Sequence, residues 1–179
     1  MLPGPSKVRL SLITGIMIVA ALLVLACGGS SAANTGTVVT GTVPLPSVTP
    51  LPHFKVGQQV KVGSTWIVTV NGVTTSDGDA IFAPAEGATY LVINVTLQNI
   101  SAQEQAVSSF FQFSLKDQTG QQYNEAIVDF AHAPDGKVEP GDKLRGNFVY
   151  QVPTTLHQFI FAFQADLTRP GQTLWDIQD

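Results

Sequence analysis

Cysteine is almost missing from this chain: Cys27 stands alone among 179 residues. An intramolecular disulfide is therefore excluded, and so is a zinc site built from several thiolates. Basic residues are also few. Nine Lys and Arg face thirteen Asp and Glu, for a formal charge of −4. Beyond Lys7 and Arg9 at the amino terminus, seven remain, and apart from the Lys143/Arg145 pair they are scattered, so no basic stripe exists to neutralise phosphates, and nucleic-acid binding is disfavoured. The three histidines, His53, His132 and His157, lack the spacing of a metal-binding set. No segment shows a convincing helical period, which argues against a helical bundle.

What is present concentrates first at the amino terminus. Lys7 and Arg9 precede an apolar run of 17 residues, Leu10 to Ala26. Val24-Leu25-Ala26-Cys27 closes that run, and Gly28, Gly29, Ser30 and Ser31 follow. Charge, apolar run and small residues in that order make a secretory signal. Ending on the chain's one cysteine gives it the form of a lipobox, which resembles bacterial lipoproteins as a class. That resemblance implies diacylglyceryl transfer to the Cys27 thiol and cleavage after Ala26. Val24 and Leu25 depart from the commonest form of the box. The competing reading is an uncleaved anchor, but the run is short for a span and contains Ser11, Thr14 and Gly15. A diacylglyceryl group supplies two acyl chains, enough for stable anchoring where one is marginal. The expected location is the extracytoplasmic face of a cell membrane.

Loss of residues 1–26 leaves 153 residues, and loss of Lys7 and Arg9 takes the charge from −4 to −6. From Gly28 to Phe54 there is no charged residue, and Pro44, Pro46, Pro50 and Pro52 form a proline ladder. Such a segment buries too little apolar surface to fold. It reads as a tether, 27–57, spanning roughly 30 Å as a coil and up to roughly 90 Å fully extended.

Beyond it the pattern is that of strands. Trp66, Val68 and Val70 alternate in Thr65 to Thr74. In Ala88 to Ile100, Leu91, Ile93, Val95 and Leu97 face one way while Val92, Asn94, Thr96 and Gln98 face the other. Phe111, Phe113 and Leu115 repeat the period, and Asp117-Gln118-Thr119-Gly120 reads as a hairpin turn into Gln121 to Glu125. Glu139-Pro140-Gly141-Asp142 is a second turn, opening a strand over Lys143 to Val152. In that strand Leu144, Phe148, Tyr150 and Val152 alternate, and Gly146 marks a bulge or a close backbone approach. Phe159, Phe161 and Phe163 alternate in turn, and Leu174 to Ile177 reads as an edge strand. Seven or so short strands with turns between them predict an all-β fold, an immunoglobulin-like antiparallel β-sandwich over 58–179.

Three stretches carry a family resemblance: Gly87 to Asn99, Phe113 to Tyr123 and Val138 to Pro153. With the lipobox and tether, they resemble bacterial lipoproteins bearing an immunoglobulin-like domain of unknown function. Members of that family often carry the name telomeric repeat-binding factor, and the fold is similar to a small secreted mycobacterial antigen. The resemblance covers roughly Val56 to Asp179. It implies a fold and no catalytic residues, and the charge balance runs against the DNA-binding name.

Candidate chemistry is sparse. His132 lies near Asp129, Asp135 and Glu139 in sequence, without the ligand spacing of zinc. Asp77-Gly78-Asp79 resembles a fragment of a calcium loop but lacks the closing Glu; a turn explains it. Ser108 and Ser109 have no nucleophile elbow, and Asp117 and Glu125 cannot be paired from sequence as a glycosidase dyad. Asn94-Val95-Thr96 and Asn99-Ile100-Ser101 fit the glycosylation sequon, which carries little weight in a bacterial chain. Phe110 and Phe130, with Val149 and Ile160, compose a candidate apolar patch, against the simpler reading that the phenylalanines form the core.

The expectation is thus a lipid-anchored, extracytoplasmic, non-catalytic module with a binding or structural role in the cell envelope. No cofactor and no metal are expected, and lipidation at Cys27 is the one assigned site. Its partners would be the membrane, through the anchor, and an unidentified protein or small molecule, but no nucleic acid. The alternative is an accessory ligand-binding lipoprotein of a transport or sensing system, and an enzyme comes third.

Overall fold

Alternation of apolar and polar side chains along the chain becomes two packed sheets in the structure, a computed structural model that describes residues 50–179. The signal segment 1–26, Cys27 and the tether as far as residue 49 lie outside the described residues. The strands are β1 (His53–Lys55), β2 (Gln59–Val62), β3 (Trp66–Ser76), β4 (Ala88–Asn99), β5 (Gln105–Val107), β6 (Phe113–Asp117), β7 (Gln122–Tyr123), β8 (Gly136–Val138), β9 (Lys143–Pro153), β10 (Gln158–Phe163) and β11 (Thr173–Gln178). One helical turn, α1 (Ser109–Gln112), precedes β6.

One sheet has the order β1-β11-β10-β6-β7 and the other β2-β3-β4-β9, while β5 and β8 form a small ribbon. All neighbours are antiparallel except β1 and β11. The molecule is a β-sandwich. Its core is the inward alternation of both sheets. Trp66, Val68, Val70, Leu91, Ile93, Val95, Leu97, Phe148 and Tyr150 from one meet Leu115, Phe159, Phe161, Phe163 and Trp175 from the other. Because the side-chain period of a strand is two, these residues are buried as a set. A bulge between Val70 and Gly72 shifts the register of β3 against β4, and pairing resumes at Gly72↔Asn94.

The free edge of β9 is closed by the segment 125–134. Ala126 N donates to Val149 O at 2.7 Å, Asn147 N to His132 O at 2.8 Å, and Glu125 bridges Tyr150. Gly146 permits that approach. A Cβ there would lie 2.5 Å from Pro134 N and 2.7 Å from Ala133 C, so the sequence sign of close approach corresponds to a real contact. The same segment brings Val128 and Ala131 onto Tyr90, Val92 and Val149, a second small core on the outer face of the β2-β3-β4-β9 sheet. An edge covered in this way is unavailable for pairing with other chains.

Asn99 ends β4 inside the protein, with no exposed surface. Its Nδ2 donates to Gln103 O at 2.7 Å and Val138 O at 2.8 Å, and its Oδ1 accepts from Ser101 N and Ser101 Oγ. It therefore fixes both the turn after β4 and the β8 strand, and it cannot serve as an exposed glycosylation site. Asn99→Ala should cost about 2–3 kcal/mol, since several buried backbone groups lose their partner. A urea midpoint unchanged from the parent would contradict this role.

Three sequence expectations are corrected. The sandwich takes in His53–Lys55, ahead of the expected start at 58, because β1 adds to the sheet, so that part of the expected tether 27–57 is strand. The Leu174 to Ile177 strand is not an edge, since β11 lies between β1 and β10. Phe111 does not continue the alternation of Phe113 and Leu115, because the chain is helical there and β6 starts only at Phe113.

Candidate functional site

Two surface regions collect polar groups in the described residues, and α1 defines the first. Ser108, at the N-cap position, makes no side-chain capping bond. Asp135, from the loop before β8, takes over that role: its Oδ1 accepts from Ser109 N at 2.6 Å and its Oδ2 from Ser109 Oγ at 2.9 Å. Gln112 folds back so that its Oε1 accepts from Ser108 N at 2.8 Å. The turn thus held projects Phe110 and Phe111 outward, 79% and 66% exposed, edge to face with centroids 5.1 Å apart. A cleft of about 360 Å³ runs beneath them, lined by Gln112, Tyr123, Glu125, Tyr150 and Gln164 among others.

Burial pushes the Glu125 carboxyl above its ordinary range. The neighbouring Ser109 hydroxyl opposes that rise, and the nearby Asp135 charge adds to it. Burial also pushes the Tyr150 phenol up, with a smaller contribution from Glu125. A carboxyl whose folded form holds its proton more tightly than the unfolded chain destabilises the fold once pH exceeds the unfolded value near 4.5. Glu125→Gln should therefore raise the melting temperature at pH 7, and the gain should vanish as pH falls below that value. Thermal melts across this range check it. A variant less stable than the parent at pH 7 would show that the charge is needed.

The serine and carboxylates at this cleft do not compose a nucleophilic relay. The Ser109 hydroxyl is engaged with Asp135, and among the described residues no hydrogen bond joins His132 to either. His53 and His157 lie elsewhere: His53 Nδ1 is 2.6 Å from Asp176 Oδ1, and His157 Nδ1 is 3.1 Å from Asp179 Oδ1. Lys55 Nζ also reaches Asp176, at 2.7 Å, and with His53 it holds the Asp176 carboxyl below its usual range. This ion cluster binds β1 to β11.

Two further acids have structural partners. Asp79 Oδ1 accepts from Ile81 N and Phe82 N, so Asp77-Gly78-Asp79 is a turn whose carboxylate faces its own backbone. Asp117 accepts from Thr119 N, Thr119 Oγ1, Gln121 N and the Tyr123 hydroxyl, which ties the β6–β7 hairpin. Asp129, Asp135 and Glu139 do not converge with His132, and among the described residues no group of three or more His, Cys, Asp or Glu is placed to hold a metal. The candidate patch of Phe110, Phe130, Val149 and Ile160 does not exist as one surface. Val149 is buried in the second core and Phe130 packs on Tyr90.

The second region is the outer face of the β2-β3-β4-β9 sheet, on the part that segment 125–134 leaves open. The register aligns Lys61, Ile67, Gln98 and Lys143 in one row across four strands, and Gln59, Thr69, Thr96 and Arg145 in the next. Asn71, Asn94 and Asn147 follow. Asn71 Nδ2 donates to Asn94 Oδ1 and Thr96 Oγ1, both at 2.9 Å; Asn94 Nδ2 donates to Asn147 Oδ1 at 2.6 Å; Arg145 Nε donates to Asn94 Oδ1 at 2.9 Å. This network fixes the side chains of three strands in one layer. The sequence shows the Lys143/Arg145 pair but gives no sign that Lys61 or Asn71 belongs with it. Alternation places Lys61 outward, but only the pairing of β2 with β3 sets it in the row of Lys143.

An antiparallel sandwich with a polar open face defines a class by fold. The chain belongs to the family described as a domain of unknown function (DUF4352), which matches residues 54–170. No curated protein sequence matches it. Among solved structures, the yjhA protein of Bacillus subtilis is similar with a TM-score of 0.56 at 21% identity, over 71% of this chain and 100% of that one. An uncharacterised β-sandwich protein of Clostridium difficile is similar with a TM-score of 0.51 at 14% identity, over 75% of this chain and 100% of that one. A candidate lipoprotein of Bacillus subtilis (ycdA) is similar with a TM-score of 0.57 at 14% identity, over 66% of this chain. The chain spans only 38% of that protein. At these identities the likeness is one of fold.

Proposed function

We propose that this protein is a lipid-anchored extracytoplasmic β-sandwich, immunoglobulin-like in kind, that acts by binding within the cell envelope and not by catalysis. The observation that carries the reading is Cys27. The one cysteine of the chain sits where a charged start and an apolar run end in small residues. The first described strand starts at His53, and the uncharged, proline-bearing composition of residues 28–52 supports a spacer between lipid and domain. One of the solved structures of similar fold is a candidate lipoprotein, which agrees with the reading without carrying it. The non-catalytic part rests on the side chains themselves. Ser109, Asp117 and Asp79 are engaged in local structure, and a nucleophile needs an adjacent base and an oxyanion site.

Intact-mass analysis of protein extracted from membranes tests the anchor. The expected species starts at Cys27 and carries diacylglycerol, and Cys27→Ser should leave the membrane fraction. A membrane-bound chain that retains residues 1–26 would contradict the proposal.

A further inference from the structure

We infer that the open outer face of the β2-β3-β4-β9 sheet binds an anionic, hydroxyl-rich polymer, a glycan-type chain bearing carboxylate or phosphodiester groups. The inference deepens the binding role proposed above by naming the class of ligand, and it stands independently of the lipid anchor.

Charge distribution carries it. None of the thirteen Asp and Glu residues of the chain lies in these four strands. Of the seven Lys and Arg among the described residues, three are neutralised locally: Lys55 by Asp176, Lys137 by Glu104 and Arg169 by Asp166. Four have no carboxylate within ion-pair distance among the described residues, namely Lys61, Lys116, Lys143 and Arg145. Three of these four project from this one face. A protein with an overall acidic balance thus keeps three of its four unpaired cations together on strands that carry no acid, where the local field attracts anions.

Geometry narrows the ligand. Lys61 and Lys143 stand at opposite sides of a four-strand row, about 14 Å apart at the usual strand spacing, and Arg145 lies one row on, about 7 Å along β9. Cations at that separation suit repeated charges along a chain better than a single small anion. Between them stand Gln59, Thr69, Asn71, Thr96 and Gln98, which offer both donors and acceptors. The Arg145 guanidinium spends its Nε on Asn94, an orientation that leaves its Nη groups to meet a carboxylate or phosphate.

Other occupants fit less well. A protein partner would want aromatic or aliphatic anchors, and the side chains between the cations are amides and hydroxyls, with Ile67 half-buried. Duplex nucleic acid is held by more phosphate contacts than three cations supply. No aromatic ring lies among the side chains between these cations to stack on neutral sugars, so charge and amide hydrogen bonds must supply the recognition.

The test uses the mature chain, residues 27–179, carrying Cys27→Ser so that lipid plays no part. Binding is measured at physiological salt to polygalacturonate, to poly(glycerol phosphate), to neutral dextran, to duplex DNA and to vesicles of phosphatidylglycerol. The expected result is saturable binding to one or both of the first two, and none to dextran. The combined Lys61→Gln, Lys143→Gln and Arg145→Gln variant should lose about tenfold or more in affinity, the scale of three modest ion contacts. Lys116→Gln removes the unpaired cation of the opposite sheet and should leave affinity within about twofold. Circular dichroism and a thermal melt confirm that each variant keeps its fold. Equal losses from Lys116→Gln and from the triple variant would overturn the inference, as would the absence of binding to both anionic polymers. Binding to DNA or vesicles as tight as to the polymers would reduce the face to a general anion surface and overturn it too. Failure of these arms, beside a membrane-extracted parent protein whose mass shows lipid on Cys27, would remove the ligand class while leaving the anchor standing.

Discussion

Val95→Asp should leave the domain largely unfolded at physiological temperature, with a loss of about 4 kcal/mol or more. Val95 sits in the middle of β4, paired with Val70 on one side and Gly146 on the other, and has no exposed surface. An aspartate there would place an unpaired carboxylate among Val70, Ile93, Leu97 and the aromatic side chains of the facing sheet. Among the described residues no Lys or Arg is buried to receive it, and Lys143 and Arg145 occupy the outer face of the neighbouring strand. Burying such a charge without a partner costs several kcal/mol, or the group stays protonated and still lacks hydrogen bonds. Since a domain has a margin of only about 5–15 kcal/mol, the melting temperature should collapse. A variant that melts near the parent would mean the two faces of β4 are reversed.

Phe161→Ala should cost about 3–5 kcal/mol. Phe161 joins the two sheets: its ring lies 5.2 Å from Phe148, 5.5 Å from Phe113, 6.4 Å from Tyr150 and 6.4 Å from Trp175, between centroids. Truncation leaves a cavity bounded by rigid rings in two sheets, so little can collapse into it. Phe161→Leu keeps most of the volume and should cost markedly less, about 1–1.5 kcal/mol. Urea titration distinguishes them, with the midpoint falling in that order at constant slope. Equal effects of Leu and Ala would show that the ring contacts contribute nothing beyond the first branch of the side chain.

Both predictions rest on features legible in the amino-acid sequence itself. Leu91, Ile93, Val95 and Leu97 alternate with polar residues over a full strand, as do Phe159, Phe161 and Phe163, and a period of two sustained that long has one physical solution. Gly146 is legible as a site of close approach, though what approaches it is not. The departures share a cause, which is dependence on distant partners. β1 is three residues after a proline ladder, too short to show a period, and it forms because β11, more than a hundred residues later, offers an edge and Asp176. Covering that edge makes β11 an interior strand. Phe111 reads as a core residue in the sequence because a single helical turn leaves no periodic trace, and that turn depends on Asp135 reaching Ser109 from another loop. The cation face escapes a reading of the sequence for the same reason. Lys61 and Lys143 are far apart along the chain and share a row only through two intervening strands.

The central proposal, a folded binding module displayed outside the membrane on a lipidated spacer, is tested most directly by protease treatment of living cells stripped of any outer membrane. Proline-rich residues 28–52 should be cut while the sandwich resists. The predicted result is release of one intact fragment that begins before His53 and contains the whole sandwich, leaving a short lipidated peptide from Cys27 in the membrane. Full protection of the chain, or release of a fragment that still carries residues 1–26, would contradict the account.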